Sequence, residues 1–141
     1  MTETVAPARI AQALEAARAL IAVHGAEGRH HIAAAVLSDD GAMHLGISLE
    51  STVRWASICA EPGAVSRAMI DAPGAAIIAT IAVNRDGAIV PPCSRCRELL
   101  ADFAPHAQIA LPDPAGWRLV ALASLMPYPY KGLLRFDGDQ A

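Results

Sequence analysis

Apolar residues first recur with helical spacing, at Ile10, Leu14, Ala17, Leu20 and Ile21. This predicts a helix over Ala8–His24, stopped near Gly25. The pattern then changes. Two short apolar runs, His31–Ser38 and Ala42–Leu49, flank the turn Asp39-Asp40-Gly41 and read as a hairpin. Glu50–Ser57 is polar and mixed, and is expected as a loop. From Cys59 to Asp71 helical spacing returns, with Val65, Ala68 and Met69 on one side. Pro62 and Gly63 fit there because they fall in the first turn, and Pro73-Gly74 ends the helix. Ala75–Val83 is apolar almost throughout, as expected of a strand covered on both faces. After Pro91-Pro92 a helix is predicted from Cys93 to Phe103, then strands at Gln108–Leu111 and Trp117–Ala121. A short helix or turn at Leu122–Met126 completes the pattern. The order α-β-β-α-β-α-β-β predicts an α/β layered domain around a mixed sheet. No repeat, low-complexity stretch or linker divides the 141 residues, so one domain over 1–141 is expected.

Composition sharpens this picture. Hydrophobic residues make up 54% and aromatics only 4%, so the core is built from small aliphatic side chains and close packing of elements or subunits follows. The net charge of -3, with no basic run, disfavours a phosphate-tracking surface for nucleic acid and favours a small-molecule substrate. The longest uncharged stretches, Ala72–Asn84 and Leu119–Tyr130, are shorter than the about 20 apolar residues a bilayer span needs. The N-terminus lacks a basic segment followed by an apolar one. A cytoplasmic protein is expected, and there an odd count of three cysteines points to metal or catalysis before disulfides.

Those cysteines sit where the chemistry would need them. Cys93 and Cys96, two residues apart at a helix start, can point at one metal, and Cys59 starts another helix. Helix N-termini favour thiolates. Zinc accepts such ligands, and three of them leave a fourth position open, which marks a catalytic site more than a structural one. Glu61 stands two positions after Cys59. It cannot easily ligate the same metal. It can take a proton from water and deliver it to a ring nitrogen and to departing ammonia, which is the work of the glutamate in zinc deaminases. Other readings remain. Cys93-x-x-Cys96 alone would suit a redox site, and a structural zinc could recruit His30 or His31 as a fourth ligand.

The combined motifs resemble the small cytidine deaminase family, which includes the blasticidin S deaminases. Gly46-Ile47-Ser48-Leu49-Glu50-Ser51 is similar to the family's Gly-x-Asn-x-Glu-Asn, and Ile58-Cys59-Ala60-Glu61 to its Ile-Cys-Ala-Glu. Pro92-Cys93-Ser94-Arg95-Cys96-Arg97-Glu98-Leu99-Leu100 resembles Pro-Cys-x-x-Cys-Arg-Gln-x-Leu, and Leu125–Tyr130 resembles Leu-Leu-Pro-x-x-Phe. The resemblance runs from about Ile32 to Tyr130. It implies a three-layer α/β/α sandwich with a mixed sheet of about five strands, one Zn2+ per subunit, and a homotetramer whose pockets draw residues from neighbouring subunits. Carried over, Cys59, Cys93 and Cys96 bind zinc and Glu61 is the general acid and base. The Ala60 carbonyl meets the exocyclic amine, Glu50 bonds a sugar hydroxyl, and Tyr130 stands for the aromatic that packs on the base.

Four positions depart from the family pattern. Ser48 replaces the sugar-binding Asn, His30 an aromatic, and Arg54 a frequent tyrosine; all three belong to the substrate-reading shell. Pro62 replaces an arginine that bonds a zinc thiolate, and Arg95 is the cation expected to offset the thiolate charge instead, as in the blasticidin S deaminases. Arg54 could read a carboxylate or phosphate on the substrate. The expected function is deamination of cytidine, deoxycytidine or a related nucleoside in pyrimidine salvage. The alternatives are a blasticidin S-type or other amino-heterocycle deaminase, a non-catalytic zinc module and, disfavoured by charge, a polynucleotide editor.

Overall fold

The computed structural model describes residues 5–130. Its elements are α1 (Pro7–His24), β1 (Ile32–Ser38), β2 (Met43–Ile47), α2 (Ala60–Asp71), β3 (Ile77–Asn84), α3 (Ser94–Phe103), β4 (Gln108–Asp113) and β5 (Gly116–Ala121). Single 3-10 turns lie at Arg54–Ala56 and Leu122–Leu125. The order is the one read from the hydrophobic pattern. The sheet runs β2-β1-β3-β4-β5. β1 pairs antiparallel with β2 and with β3, β3 with β4 parallel, and β4 with β5 antiparallel. The parallel pair needs a crossover, and α3 supplies it.

Strand alternation explains the layers. In β1, Ala33, Ala35 and Leu37 face α1 and pack with Ile10, Ala13, Leu14, Ala17 and Ile21. Val36 points the other way, to Ala64, Val65 and Ala68 of α2 and Leu100 of α3. Ala34 shares that face with Ala60. Small side chains at the centre let both helical layers settle close to the sheet, and the result is a three-layer α/β/α sandwich. Between Leu37 and Ser38 the β1–β3 register shifts. One extra residue flips the strand's faces, so Ile77 joins the α2 and α3 side although Ala79 faces α1.

Several boundaries differ from the sequence expectation, each for a local reason. β2 stops at Ile47 because Ser48 turns its hydroxyl back to β1, accepting from the His31 and Ile32 amides. β3 starts at Ile77 because Ala76 is tied to Asp39 by N–H to carboxylate and by its carbonyl. β4 and β5 run longer than expected. They close on a tight turn in which Gly116 has φ +117 and Asp113 accepts from the Ala115 amide. Met69, expected on the buried side of α2, is 38% exposed; the buried stripe is Ala64, Val65 and Ala68. Among the described residues no helix is long and apolar enough to cross a membrane.

Candidate active site

Two helix starts meet at the site. Cys59 and Cys93 are not inside their helices but are the N-cap residues of α2 and α3. Their backbones are nearly identical, φ -65 and ψ 169 against φ -67 and ψ 170. Neither side chain caps its helix; the sulfurs turn to each other instead. Sγ of Cys59 lies 3.3 Å from Sγ of Cys93, and Cys93 lies 3.6 Å from Cys96 in the first turn of α3. All three ligand atoms lie within 4.8 Å of one another. Gly46 on β2 makes the approach of α2 possible. A Cβ there would sit 2.3 Å from the Ala60 carbonyl oxygen and 2.5 Å from the Ala64 nitrogen.

The cysteines are free thiols of unequal exposure: Cys93 exposed, Cys59 intermediate, Cys96 buried. Burial pushes the Cys96 thiol well above the ordinary cysteine range, and the adjacent Glu61 carboxylate adds to it. Burial also raises Cys59, helped by the neighbouring Cys93 sulfur. Burial raises Cys93 as well, but the Cys96 amide, the sulfurs of Cys59 and Cys96 and the Arg95 amide outweigh it and hold Cys93 below the ordinary range. A cluster that resists ionising all its thiols is short of positive charge. A divalent cation is what supplies it. Ligands on a tetrahedron with metal–sulfur bonds of about 2.3 Å lie roughly 3.8 Å apart, close to the spacing found here. The donor set therefore fits zinc. Among the described residues the group able to hold a metal consists of these three cysteines alone. The histidines considered as a fourth ligand are engaged elsewhere: His30 Nδ1 with the Ser48 carbonyl at 2.8 Å, His31 Nε2 with the Gly28 amide at 2.9 Å.

Glu61 is only 3% exposed, at the second residue of α2. Its Oε2 accepts from Cys96 Sγ at 3.1 Å. Above the cluster opens a cleft of about 350 Å³. Ser48, Glu50, Cys59, Glu61, Cys93 and Arg95 line it, with Ile32, Ile58 and Val90 as apolar wall. Six of the residues singled out from the sequence thus share one cavity.

The rest do not line it. Ala60 is fully buried, and its carbonyl lies beside Gly46. His30 braces the Ser48 carbonyl from behind. Arg54 is exposed on its 3-10 turn, and Tyr130 is 76% exposed. Arg95 donates from Nη1 to the Ser57 carbonyl at 3.0 Å. Arg97 bonds the carbonyls of Pro92 and Leu125, fixing the approach to Cys93. Sequence reasoning missed Ile32, Ser57, Ile58 and Val90 as cleft wall. Their nearness to the motif residues was the available signal.

Comparison with known proteins adds the last element. No family model matches the chain. Blasticidin-S deaminase of Bacillus cereus is 26% identical over 113 residues, covering 74% of this chain and 79% of that protein. Cytidine deaminase of Mycobacterium tuberculosis is 32% identical over 74 residues, about half of each chain (52% and 55%). The crystal structure of the Mycobacterium tuberculosis cytidine deaminase superposes with a TM-score of 0.71 at 26% identity, covering 88% of this chain and 98% of that one. With the cysteine cluster, the adjoining glutamate and the three-layer fold already in place, these likenesses show a chain similar in sequence and fold to the cytidine and blasticidin-S deaminases.

Proposed function

We propose that the chain is a zinc-dependent hydrolytic deaminase that converts cytidine, deoxycytidine or a related aminopyrimidine nucleoside to the uridine-type product and releases ammonia. The observation that carries this reading is Glu61, a buried carboxylate set against three thiols on the floor of a cleft. Held by Cys59, Cys93 and Cys96, a zinc ion would supply activation of water for attack on the ring carbon that bears the amino group. Glu61 Oε2 accepts the proton given up in that attack. It delivers it to the ring nitrogen and later protonates the leaving amine. The apolar wall of Ile32, Ile58 and Val90 keeps bulk water away and strengthens each of these transfers. Glu50 accepts from a sugar hydroxyl, Ser48 donates, and Arg95 lends positive charge beside the thiolates.

Three finer points belong to the same reading. The chain works as a homotetramer, for a single copy exposes Trp55 at 83%, Ile70 at 72% and Phe103 at 51%; sedimentation at four times the chain mass is the expected result. Tyr130 and Arg54, outside the cleft of a single chain, are the candidates to meet substrate once subunits assemble. Free thiols suit the reducing cytoplasm, and the activity suits pyrimidine salvage.

A second reading is a blasticidin S-type substrate. The wider span of the match to the Bacillus cereus protein, together with Ser48 in place of an amide, favours it. One experiment separates the two: ammonia release by the zinc-loaded protein from cytidine, deoxycytidine, cytosine and blasticidin S, with Glu61→Gln as control. Cytidine turnover that the control loses supports the first reading, and turnover of blasticidin S alone supports the second. Silence across the panel with full zinc overturns both.

A further inference from the structure

Residues 48–50 form one wall of the cleft, and the segment 29–32 holds that wall from behind. The Ser48 amide donates to the Ile32 carbonyl and the Glu50 amide to the Arg29 carbonyl, each at 2.9 Å. His30 donates from Nδ1 to the Ser48 carbonyl at 2.8 Å. Ser48 Oγ accepts from two successive amides, His31 at 2.9 Å and Ile32 at 3.0 Å. All of these bonds are made within one chain, so the wall is built before any subunit is added to it.

These bonds leave the wall with two unspent groups of opposite kind. A hydroxyl has two lone pairs and one proton. Both Ser48 lone pairs are taken, and its proton has no acceptor among the described residues. Ser48 is 2% exposed and lines the cleft, and a buried donor left without an acceptor is costly. Glu50 is the mirror case. Its half-buried carboxylate also lines the cleft, accepts only, and has no hydrogen bond or ion pair among the described residues. Ser57, the other hydroxyl on the cleft, accepts from one amide and keeps a lone pair and its proton, so it can act either way. The cleft therefore presents one group that can only donate and, two residues on, one that can only accept. An asparagine side chain at position 48 would offer both.

We infer that this wall selects the sugar of the substrate by polarity: the group set against Ser48 must accept a hydrogen bond, and the group set against Glu50 must donate one. This rests on the reading that the cleft takes a nucleoside. A plain hydroxyl satisfies either position, because it both donates and accepts. A protonated amino group only donates. Set against Glu50 it makes a charge-assisted bond. Set against Ser48 it brings two donors together with no acceptor between them. The substrate class that follows is a cytosine nucleoside with an amino group on its sugar, in one regioisomer and not the other.

The test is calorimetric binding to the zinc-loaded Glu61→Gln protein, which separates recognition from turnover. The probes are cytidine, its 2′-amino and 3′-amino deoxy analogues with the amino group protonated, and the matching 2′-fluoro and 3′-fluoro analogues. One amino regioisomer should bind roughly tenfold or more tightly than the other. The fluoro pair should show the opposite order, since fluorine accepts and never donates. Adding Glu50→Gln replaces a pure acceptor by an amide that does both, and should shrink the amino preference to within about threefold. Amino regioisomers that bind alike, or a preference that survives Glu50→Gln, would overturn the inference, and cytidine binding in the same protein would leave the functional reading standing. Failure of cytidine and every analogue to bind would bring down the functional reading itself, and the inference with it.

Discussion

Ser48 shows how far a single residue's role depends on main chain that lies distant in sequence. Its Oγ accepts from the His31 and Ile32 amides at 2.9 and 3.0 Å, and its own backbone bonds Ile32. With both lone pairs taken, only the hydroxyl proton is left for the cleft. Ser48→Ala would take the Oγ acceptor away from two part-buried amides. The expected cost is about 1–2 kcal/mol in total, read as a lower urea midpoint with an unchanged slope. This double duty was not legible in the sequence, where Ser48 read only as a shortened sugar-binding side chain. The cysteines and Glu61 were legible, because ligand chemistry fixes residue type and spacing and nothing else in the chain offers the same donors. The placement of Arg54 and Tyr130 was not, since spacing along the chain does not say which side of a loop faces a cavity.

At the scale of elements, the contact between β2 and α2 carries the most consequence. Gly46 lets the strand touch the first turn of the helix backbone to backbone. A methyl group there has no flexible neighbour to displace, so α2 must shift, and Cys59 and Glu61 shift with it. Gly46→Ala should therefore cost about 1–3 kcal/mol or more of stability and weaken zinc binding at the same time, checked by thermal melting and by competition with a colorimetric chelator. The weakened metal binding separates it from an ordinary core substitution. The order of elements was readable from periodicity alone. Their ends were not. Cys59 and Cys93 read as helical but proved to be N-caps, β2 gave up Ser48 to a side-chain bond, and the bulge beside Ser38 reversed the faces of β3. Each of these is settled by a partner far along the chain, which periodicity does not see.

For the whole molecule, alanine-rich strands flanked by helices implied layers, and the sheet order and the parallel β3–β4 pair completed them. The spacing of the thiols along the chain matters beyond the chemistry of the cleft. Cys59 and Cys93 are 34 residues apart, and all of β3 lies between them. An ion gripping both thiols ties a loop of that length, as a covalent cross-link would, and the loop-closure model assigns such a tie roughly 4 kcal/mol. Stripping zinc with a chelator should accordingly lower Tm by many degrees, and returning zinc in stoichiometric amount should restore it, followed by scanning calorimetry. Both ligand-bearing helices pack on the same face of the sheet, against Val36 and Ile77, so the tie rivets that whole layer and not the two thiols alone. The protein's lifetime in a cell would thus follow the free zinc around it, and a metal-starved cell would lose the enzyme through unfolding and proteolysis as well as through missing chemistry.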